Sequence, residues 1–371
     1  MSAACERCGL PADYPGAAID ESGQCALCRA AGDKVWPSTG QDALRRLLDP
    51  LVPAHPYVCL VSYSGGKDST YMLARLASWY PGRVLAFTYD TQVMSQHVWE
   101  NIRRVVEHLG VTWIRFSPPA NFMKQVFRGS LTNLIPLQKK RTIYARGSVE
   151  FGPLCYSCGT LYHLMAIRTA AMYGIPYVTV GFTPAQDSTH YPLAHRFISN
   201  PNELHAGIHE ARADGMAARD YLKMAEPMLR LLESATSEVD VQPFRVPPGD
   251  ALDRLRILRF YDYVTYDETV AREESMAVGF EPPPDTGYGS TNCQLNPLIR
   301  HVYAAMYGAD KYLAQDAALI RWGFGERSHV LARATPLPTE EEVAPLFERI
   351  GMTPDEFQQL LRDRAELQEP Q

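Results

Sequence analysis

The sequence has no apolar run long enough to span a membrane and no signal-peptide pattern at its N-terminus. We therefore expect a cytoplasmic protein without a membrane partner. It also has no excess of positive charge, because 36 Lys and Arg face 42 Asp and Glu, giving a net charge of -6. This balance disfavours nucleic acid as a partner without excluding it. The basic stretch Lys139-Lys140-Arg141 with Arg146 could contact a phosphate, although a solvated loop explains it equally.

A Walker phosphate-binding motif is absent, because position 61 holds valine where that motif requires glycine, and Lys67 is followed by Asp68. What is present is an apolar strand over residues 57–61, then Gly65 and Gly66, and then a helix that we expect to begin at residue 69 or 70. Glycines before a helix expose backbone N–H groups at the positive end of the helix dipole. This pattern predicts a phosphate-binding loop.

The side chains of this loop suit a nucleotide with a bound cation. Lys67 supplies a positive charge, Asp68 is a candidate magnesium ligand, and hydroxyl donors come from Ser64, Ser69 and Thr70. We therefore predict that residues 62–70 bind ATP and Mg²⁺. The alternative is an ordinary strand-to-helix turn, which also uses glycine pairs.

Eight cysteines in a reducing compartment favour metal binding or catalysis over disulfides. Four of them form two Cys-x2-Cys pairs near the N-terminus, Cys5 with Cys8 and Cys25 with Cys28. This spacing is typical of a zinc ribbon, in which four thiolates bind one structural Zn²⁺ and leave no open position for catalysis. The segment between the pairs has few apolar residues, so we expect it to need the metal to fold.

Strand and helix patterns alternate after the phosphate loop. Strands are predicted at 83–90, 111–116 and 175–181, the first of them buried, with an amphipathic helix at 97–110 and a further helix at 160–174 between them. This order predicts an α/β fold with a doubly wound parallel sheet.

In such sheets ligands bind beyond the carboxyl ends of the strands. Ser62, Asp90 and Gly181 lie at three of these ends, so they are candidates for the ATP site. Asp90 could equally be a turn residue. Asp187, beyond Gly181, is a candidate for a second magnesium or phosphate contact or a simple loop aspartate.

The four remaining cysteines are not equivalent. Cys59 lies inside the first strand and is interpreted as a core residue. Cys155 and Cys158 precede a predicted helix, where the dipole favours a thiolate, and Cys293 lies in a polar loop. A close pair and one distant cysteine can hold a [4Fe–4S] cluster with one iron open. The alternatives are a redox or persulfide-carrying pair, or a second zinc site completed by a histidine or carboxylate.

Breaks in pattern divide the chain into five segments. We predict a zinc ribbon at 1–35, a linker with a short helix at 36–56, the nucleotide-binding domain at 57–199, a mainly helical insertion that covers the substrate at 200–290, and a C-terminal helical region carrying Cys293 at 291–371. Within the insertion, residues 254–264 are predicted to continue the helical pattern. Thr339 and Thr353 mark the starts of two final helices.

Ser-Gly-Gly-Lys-Asp-Ser at 64–69 resembles the signature of the PP-loop ATP pyrophosphatases, which include GMP synthetase, argininosuccinate synthetase and the tRNA thiolases. With the zinc knuckles, the Cys-x2-Cys pair and Arg321-Trp-Gly-Phe-Gly before an acidic helix, the chain looks like their N-acetyl sugar amidotransferase branch. The three later cysteines with a zinc ribbon are similar to the iron–sulfur tRNA thiolases. In that resemblance Cys155, Cys158 and Cys293 would hold the cluster.

Both resemblances imply an enzyme that adenylates a substrate oxygen and releases pyrophosphate. Lys67 and Asp68 would act in that step, and sulfur or nitrogen would then replace the oxygen. We favour sulfur, supplied by sulfide or a cysteine desulfurase, because an amidotransferase using ammonia from a glutaminase partner needs no third loop cysteine. The 200–290 insertion and the acidic charge favour a small-molecule acceptor over tRNA. A homodimer is compatible with this interpretation.

Overall fold

The computed structural model describes residues 4–32, 38–137, 152–183, 186, 214–235, 240–247, 249–287, 289–325, 327–328, 331 and 336–366. The basic stretch at 139–146 and Asp187 lie outside these residues. Within them, no helix combines the length and the apolar character that crossing a bilayer would require.

The centre of the fold is a sheet to which the described residues contribute six strands. They are β1 (Cys59–Ser62), β2 (Val84–Tyr89), β3 (Thr112–Phe116), β4 (Tyr177–Val180), β5 (Met216–Ala217) and β6 (Arg256–Arg259). Their order across the sheet is β3-β2-β1-β4-β6-β5, and every pairing is parallel except that of the edge strand β5 with β6. The predicted α/β class and mostly parallel sheet are confirmed.

Helices cover both faces of this sheet. They are α1 (Ala26–Ala31), α2 (Gln41–Leu48), α3 (Lys67–Trp79), α4 (Gln96–Leu109), α5 (Phe122–Leu137), α6 (Pro153–Met172), α7 (Ala218–Ala235), α8 (Asp250–Arg254), α9 (Glu268–Ala277), α10 (Asn296–Tyr307), α11 (Lys311–Arg321), α12 (Glu340–Arg349) and α13 (Pro354–Glu366). Side chains of β1 alternate between two buried clusters, with Leu60 in the cluster that includes α5 and α6, and Cys59 and Val61 in the cluster that includes α3 and α4. A strand buried on both faces needs an apolar sequence throughout, which explains the continuous run that begins at residue 57.

The chain reverses direction across the sheet beside β1. Strands β2 and β3 follow on one side of β1, whereas β4 returns to pair with its other side. Such a reversal opens a crevice at the carboxyl ends of the two strands, where ligands of α/β proteins bind. Ser62 ends β1 and Gly181 follows β4, so both lie at this crevice.

The helical interpretation of residues 254–264 is wrong. Residues 256–259 form β6, which pairs in parallel with β4, and a turn of 3-10 helix follows at Phe260–Asp262. A short apolar run has no periodicity that separates strand from helix, and pairing with β4 decides between them here. The sheet therefore extends into the segment that we interpreted as a mainly helical insertion.

Candidate functional site

The N-terminal cysteines come together as one compact group. Cys5, Cys8, Cys25 and Cys28 are fully buried, and their four sulfur atoms all lie within 4.8 Å of one another. The Cys25 backbone N–H donates to the Cys5 sulfur at 3.2 Å. A hydrogen bond with Cys25 and burial raise the pKa of Cys8 to about 12, whereas hydrogen bonds with Cys28 and Cys8 lower the pKa of Cys25. A bound metal cation would favour the thiolate form of all four. Four such sulfurs fit a tetrahedral metal ion, for which zinc stays our prediction.

Arginines connect this four-cysteine group to the C-terminal half of the chain. Arg321, at the end of α11, is only 2% exposed, and its Nη1 atom donates to the Cys8 sulfur at 3.4 Å. Arg7 donates to the Arg321 carbonyl at 3.1 Å, and Arg327 donates to the Cys5 carbonyl at 3.0 Å. A tetrathiolate zinc site carries net negative charge, which the Arg321 guanidinium offsets in a buried position.

The predicted phosphate loop is formed between β1 and α3. Gly65 has a φ of +75°, and a Cβ there would lie 2.7 Å from the Ile102 side chain, so only glycine fits this turn. Helix α3 begins at Lys67, two or three residues earlier than expected, with Gly66 as its N-cap. The hydroxyls of Ser69 and Thr70 both donate to the Gly66 carbonyl at 3.0 Å, which fixes the turn.

The Lys67 ammonium contacts protein side chains, whereas we expected it to face a phosphate group. The Lys67 ammonium contacts Asp68 Oδ1 at 2.7 Å and donates to the Tyr266 hydroxyl at 2.9 Å, and Glu268 lies 3.8 Å away. The Tyr266 hydroxyl also donates to Asp68 Oδ1 at 3.1 Å, and the Tyr261 hydroxyl donates to the Asp68 carbonyl. Lys67 therefore orients Asp68. Its predicted contact with phosphate would require the ammonium to leave these partners.

A cavity of about 440 Å³ opens at the crevice beside β1. One part of its wall is the phosphate loop, represented by Ser62, Ser64, Gly66, Asp68 and Ser69. Another part is Gly181 with Thr91, and a third part is Cys155, Cys158 and Cys293. The volume lies in the range typical of ligand pockets. The structure thus brings the predicted nucleotide and cysteine residues into one space.

The three cavity cysteines come from two elements that are distant in sequence. Cys155 and Cys158 lie within the first two turns of α6 rather than before it, because Pro153 takes the first helical position after Gly152. Cys293 lies on a segment that forms an antiparallel bridge to Met94.

The three cysteines line the same cavity, and burial is the main influence on the pKa of two of them. Burial, with the nearby Cys155, raises the pKa of Cys293 to about 12. Burial and the other two cysteines raise the pKa of Cys158 well above its usual value. Among the described residues, however, the 4.8 Å spacing that marks a compact ligand group is met at the N-terminus and not here.

Lys311 is a site residue that the sequence analysis missed. Its ammonium donates to the Cys155 sulfur at 3.4 Å, and the residue is only 5% exposed. Among the described residues that line the cavity, it is the single Lys or Arg. No start was assigned from the sequence to the helix that carries Lys311. Asp310, which caps α11 by accepting from the Tyr312 N–H at 3.0 Å, was the missed start signal.

His163 also lines the cavity, together with Phe182 and Tyr221. Its Nδ1 atom lies 3.2 Å from the Tyr221 hydroxyl, and burial lowers its pKa to about 4. The imidazole is therefore neutral at pH 7, so it can exchange hydrogen bonds with a ligand without adding charge.

Asp90 does not line the cavity. Its carboxylate accepts from the Gln92 N–H at 2.8 Å, Arg115 at 2.6 Å and Ser117 at 3.2 Å. This set of partners favours the turn interpretation of Asp90 over a nucleoside contact, whereas the adjacent Thr91 reaches the cavity.

No protein-family model matches the chain, and no curated protein matches its sequence. A comparison with solved structures finds similarity to the U34-tRNA thiolase NcsA from Methanococcus maripaludis, which was solved with its [4Fe-4S] cluster. The similarity covers 91% of this chain and 90% of that protein at 12% sequence identity, with a TM-score of 0.35. A TM-score this low does not establish a shared fold, and it carries no weight in assigning a function to this chain.

Proposed function

We propose that the protein is an enzyme that uses ATP to adenylate an oxygen of a small-molecule substrate and then replaces that oxygen with sulfur. One observation carries the proposal: the phosphate loop and three cysteines line the same cavity. A carbon activated at one wall can therefore meet a nucleophile held at another without crossing bulk water, which would hydrolyse it.

In the first step the substrate oxygen attacks the α-phosphorus of ATP, and pyrophosphate leaves with the electrons of the broken P–O bond. The work of the protein is to bind the charge that develops on the phosphates. We assign this work to the amides at the start of α3 and to the hydroxyls of Ser64 and Ser69, which line the cavity. Asp68 offers a carboxylate for Mg²⁺ and is held by Lys67 and Tyr266.

In the second step a hydrosulfide ion attacks the activated carbon. A C–S bond forms, the C–O bond to AMP breaks, and AMP leaves with that electron pair. Loss of the sulfur-bound proton gives a thiocarbonyl, so no oxidant or reductant is needed. The Lys311 ammonium, 3.4 Å from the Cys155 sulfur, favours an anionic sulfur species at this wall. The hydrosulfide would come from free sulfide or a cysteine desulfurase.

The thiols of Cys155, Cys158 and Cys293 fit the donor set of a [4Fe–4S] cluster. When bound by three thiolates, such a cluster supplies one iron that is open to an exogenous sulfur ligand. Of these three residues, Cys293 alone comes from outside α6, so its position decides whether the set is complete.

Iron and sulfide analysis of anaerobically purified protein tests the sulfur chemistry. We expect a brown protein with about four irons and four sulfides per chain in addition to zinc. The Cys293→Ser variant should lose most of the iron. Cys59→Ala is the matched control, because Cys59 is buried within β1 and is not among the cavity residues. A colourless protein that carries only zinc would contradict the proposal, and incorporation of labelled ammonia would identify nitrogen transfer instead.

Binding of Mg-ATP tests the first step independently of the sulfur donor. Calorimetry should show binding to the wild-type protein and a clear loss of magnesium-dependent affinity in Asp68→Asn. Asp267→Asn is a suitable control, because Asp267 caps α9 and is not among the residues lining the cavity. Equal magnesium dependence in wild type and Asp68→Asn would remove Asp68 from the proposed site.

A further inference from the structure

We propose that Thr291 is a positioning residue that communicates the occupancy of the phosphate loop to Cys293. The Thr291 hydroxyl accepts a hydrogen bond from the Lys67 backbone N–H at 3.1 Å. Lys67 is the first residue of α3, so this amide is one of those that a phosphate oxygen would use. A side chain from the segment 289–295 thus occupies part of the proposed anion site.

The close approach of Thr291 depends on the glycine before Lys67. A Cβ at Gly66 would lie 2.8 Å from the Thr291 hydroxyl oxygen, too close for the two to coexist. The neighbouring Asn292 reaches the same loop, with its Nδ2 atom 3.5 Å from the Ser64 carbonyl. The segment 289–295 therefore packs closely against the phosphate loop at Gly66, and the hydrogen bonds of Thr291 and Asn292 add to this contact.

Short hydrogen-bonded turns connect Thr291 to Cys293. The Ser290 hydroxyl accepts from the N–H groups of Asn292 at 3.4 Å and Cys293 at 3.3 Å. Beyond Cys293, the Gln294 N–H donates to the Val93 carbonyl at 2.9 Å and anchors the segment. A phosphate that takes the Lys67 N–H displaces Thr291, and the shift is carried to Cys293 because it lies between Thr291 and that anchor.

The physical consequence is a competition between one hydroxyl and one phosphate oxygen. A hydrogen bond of this kind contributes a net factor of about two- to tenfold in an equilibrium constant. Binding of pyrophosphate or ATP should release the segment 289–295 by a factor of this size. The inference rests on the part of the proposed function that places ATP phosphates at the loop, and it does not depend on the acceptor or on sulfur.

Hydrogen–deuterium exchange on anaerobically prepared full-length protein, with and without magnesium pyrophosphate, tests the inference. In the wild type, pyrophosphate should speed exchange in peptides spanning 289–295 about two- to tenfold. Exchange at 354–366, the last described helix, which contributes no residue to the cavity wall, should not change. The Thr291→Val variant cannot accept the hydrogen bond. Its peptides spanning 289–295 should exchange rapidly without pyrophosphate, and adding pyrophosphate should not change their rate. Thr291→Ser keeps a hydroxyl that can accept this hydrogen bond, so pyrophosphate should speed its exchange at 289–295 as in the wild type.

Affinity gives a second measurement that does not depend on exchange rates. Thr291→Val should bind magnesium pyrophosphate about two- to tenfold more tightly than the wild type or Thr291→Ser, because the competing hydroxyl is gone. Binding without faster exchange at 289–295, or with slower exchange, would overturn the role of Thr291 and leave the proposed function intact. No binding of pyrophosphate or ATP would overturn both.

Discussion

Substitution of Asp310 should destabilise the protein strongly, because this carboxylate has two tasks in a buried position. It accepts hydrogen bonds from the Nε and Nη2 atoms of Arg300 at 2.9 and 2.6 Å, and it caps α11 through the Tyr312 N–H at 3.0 Å. The Arg300 and Asp310 side chains are each only 6% exposed. Helix α11 in turn carries Lys311 to the cavity cysteines.

The expected magnitude follows from these two tasks. Removing one partner of a buried ion pair costs about 3–5 kcal/mol, and losing an N-cap side chain costs about 1 kcal/mol more. Asp310→Ala should therefore lower the free energy of unfolding by about 4–6 kcal/mol. Asp310→Asn keeps a capping oxygen and a neutral acceptor for Arg300, so it should lose only about 2 kcal/mol.

Urea denaturation followed by tryptophan fluorescence and by far-UV circular dichroism measures both effects. Asp220→Ala is the matched control, because the Asp220–Lys223 pair lies on the surface with side chains 50% and 79% exposed. That change should shift the free energy of unfolding by less than about 1 kcal/mol. A loss below about 1 kcal/mol in Asp310→Ala would refute the view that the buried pair holds α11 in place.

Three further predictions concern the two cysteine sites and the cavity histidine. Arg321→Met should lower zinc affinity about 10- to 100-fold in a competition with a chromophoric chelator, because the cation beside Cys8 is removed; unchanged affinity would contradict that role. Lys311→Met should accelerate iron loss to a chelator by a similar factor, whereas Lys311→Arg should retain the iron. Protonation of His163 should lower the free energy of unfolding at low pH. Its pKa of about 4 in the folded protein lies below the unfolded value near 6.5, so stability should fall as pH drops from 6.5 to 4, by at most about 3 kcal/mol. His163→Gln should flatten this pH dependence, and an unaltered urea titration across that range would argue against a buried neutral imidazole.

The elements that the sequence predicted well share a strong local signal. Strands β1 and β2 are continuous apolar runs between turns, and both are buried along their whole length. Thr339 and Thr353 begin α12 and α13 as predicted, and Thr353 exchanges the two hydrogen bonds of a capping box with Glu356. Local spacing also placed the four N-terminal cysteines correctly, since each pair lies on one short turn. These features depend on neighbours within a few residues, so sequence alone could reveal them.

Several contacts between distant segments had no local pattern that indicated them. Lys311 and Cys155 are 156 residues apart, and nothing near either residue marks their contact. Strand β6 acquires its conformation from pairing with β4, which begins at Tyr177, and its own four residues carry no clear period. The contact of Thr291 with the Lys67 N–H is another example, since it joins positions 224 residues apart. Tertiary packing sets these contacts and the conformation of β6, and local sequence propensity does not determine them.

Helix α11 has a consequence for how metal removal must be interpreted in this protein. Its first residue, Lys311, contacts Cys155 in the cavity, and its last, Arg321, contacts Cys8 about 15 Å away along the helix axis. If the N-terminal cysteines hold a metal ion, as we predict, its removal changes the charge beside Arg321, and α11 connects that position directly to Lys311 at the cavity. Loss of cavity function on chelation would therefore not by itself distinguish a catalytic ion from a structural ion at the N-terminus.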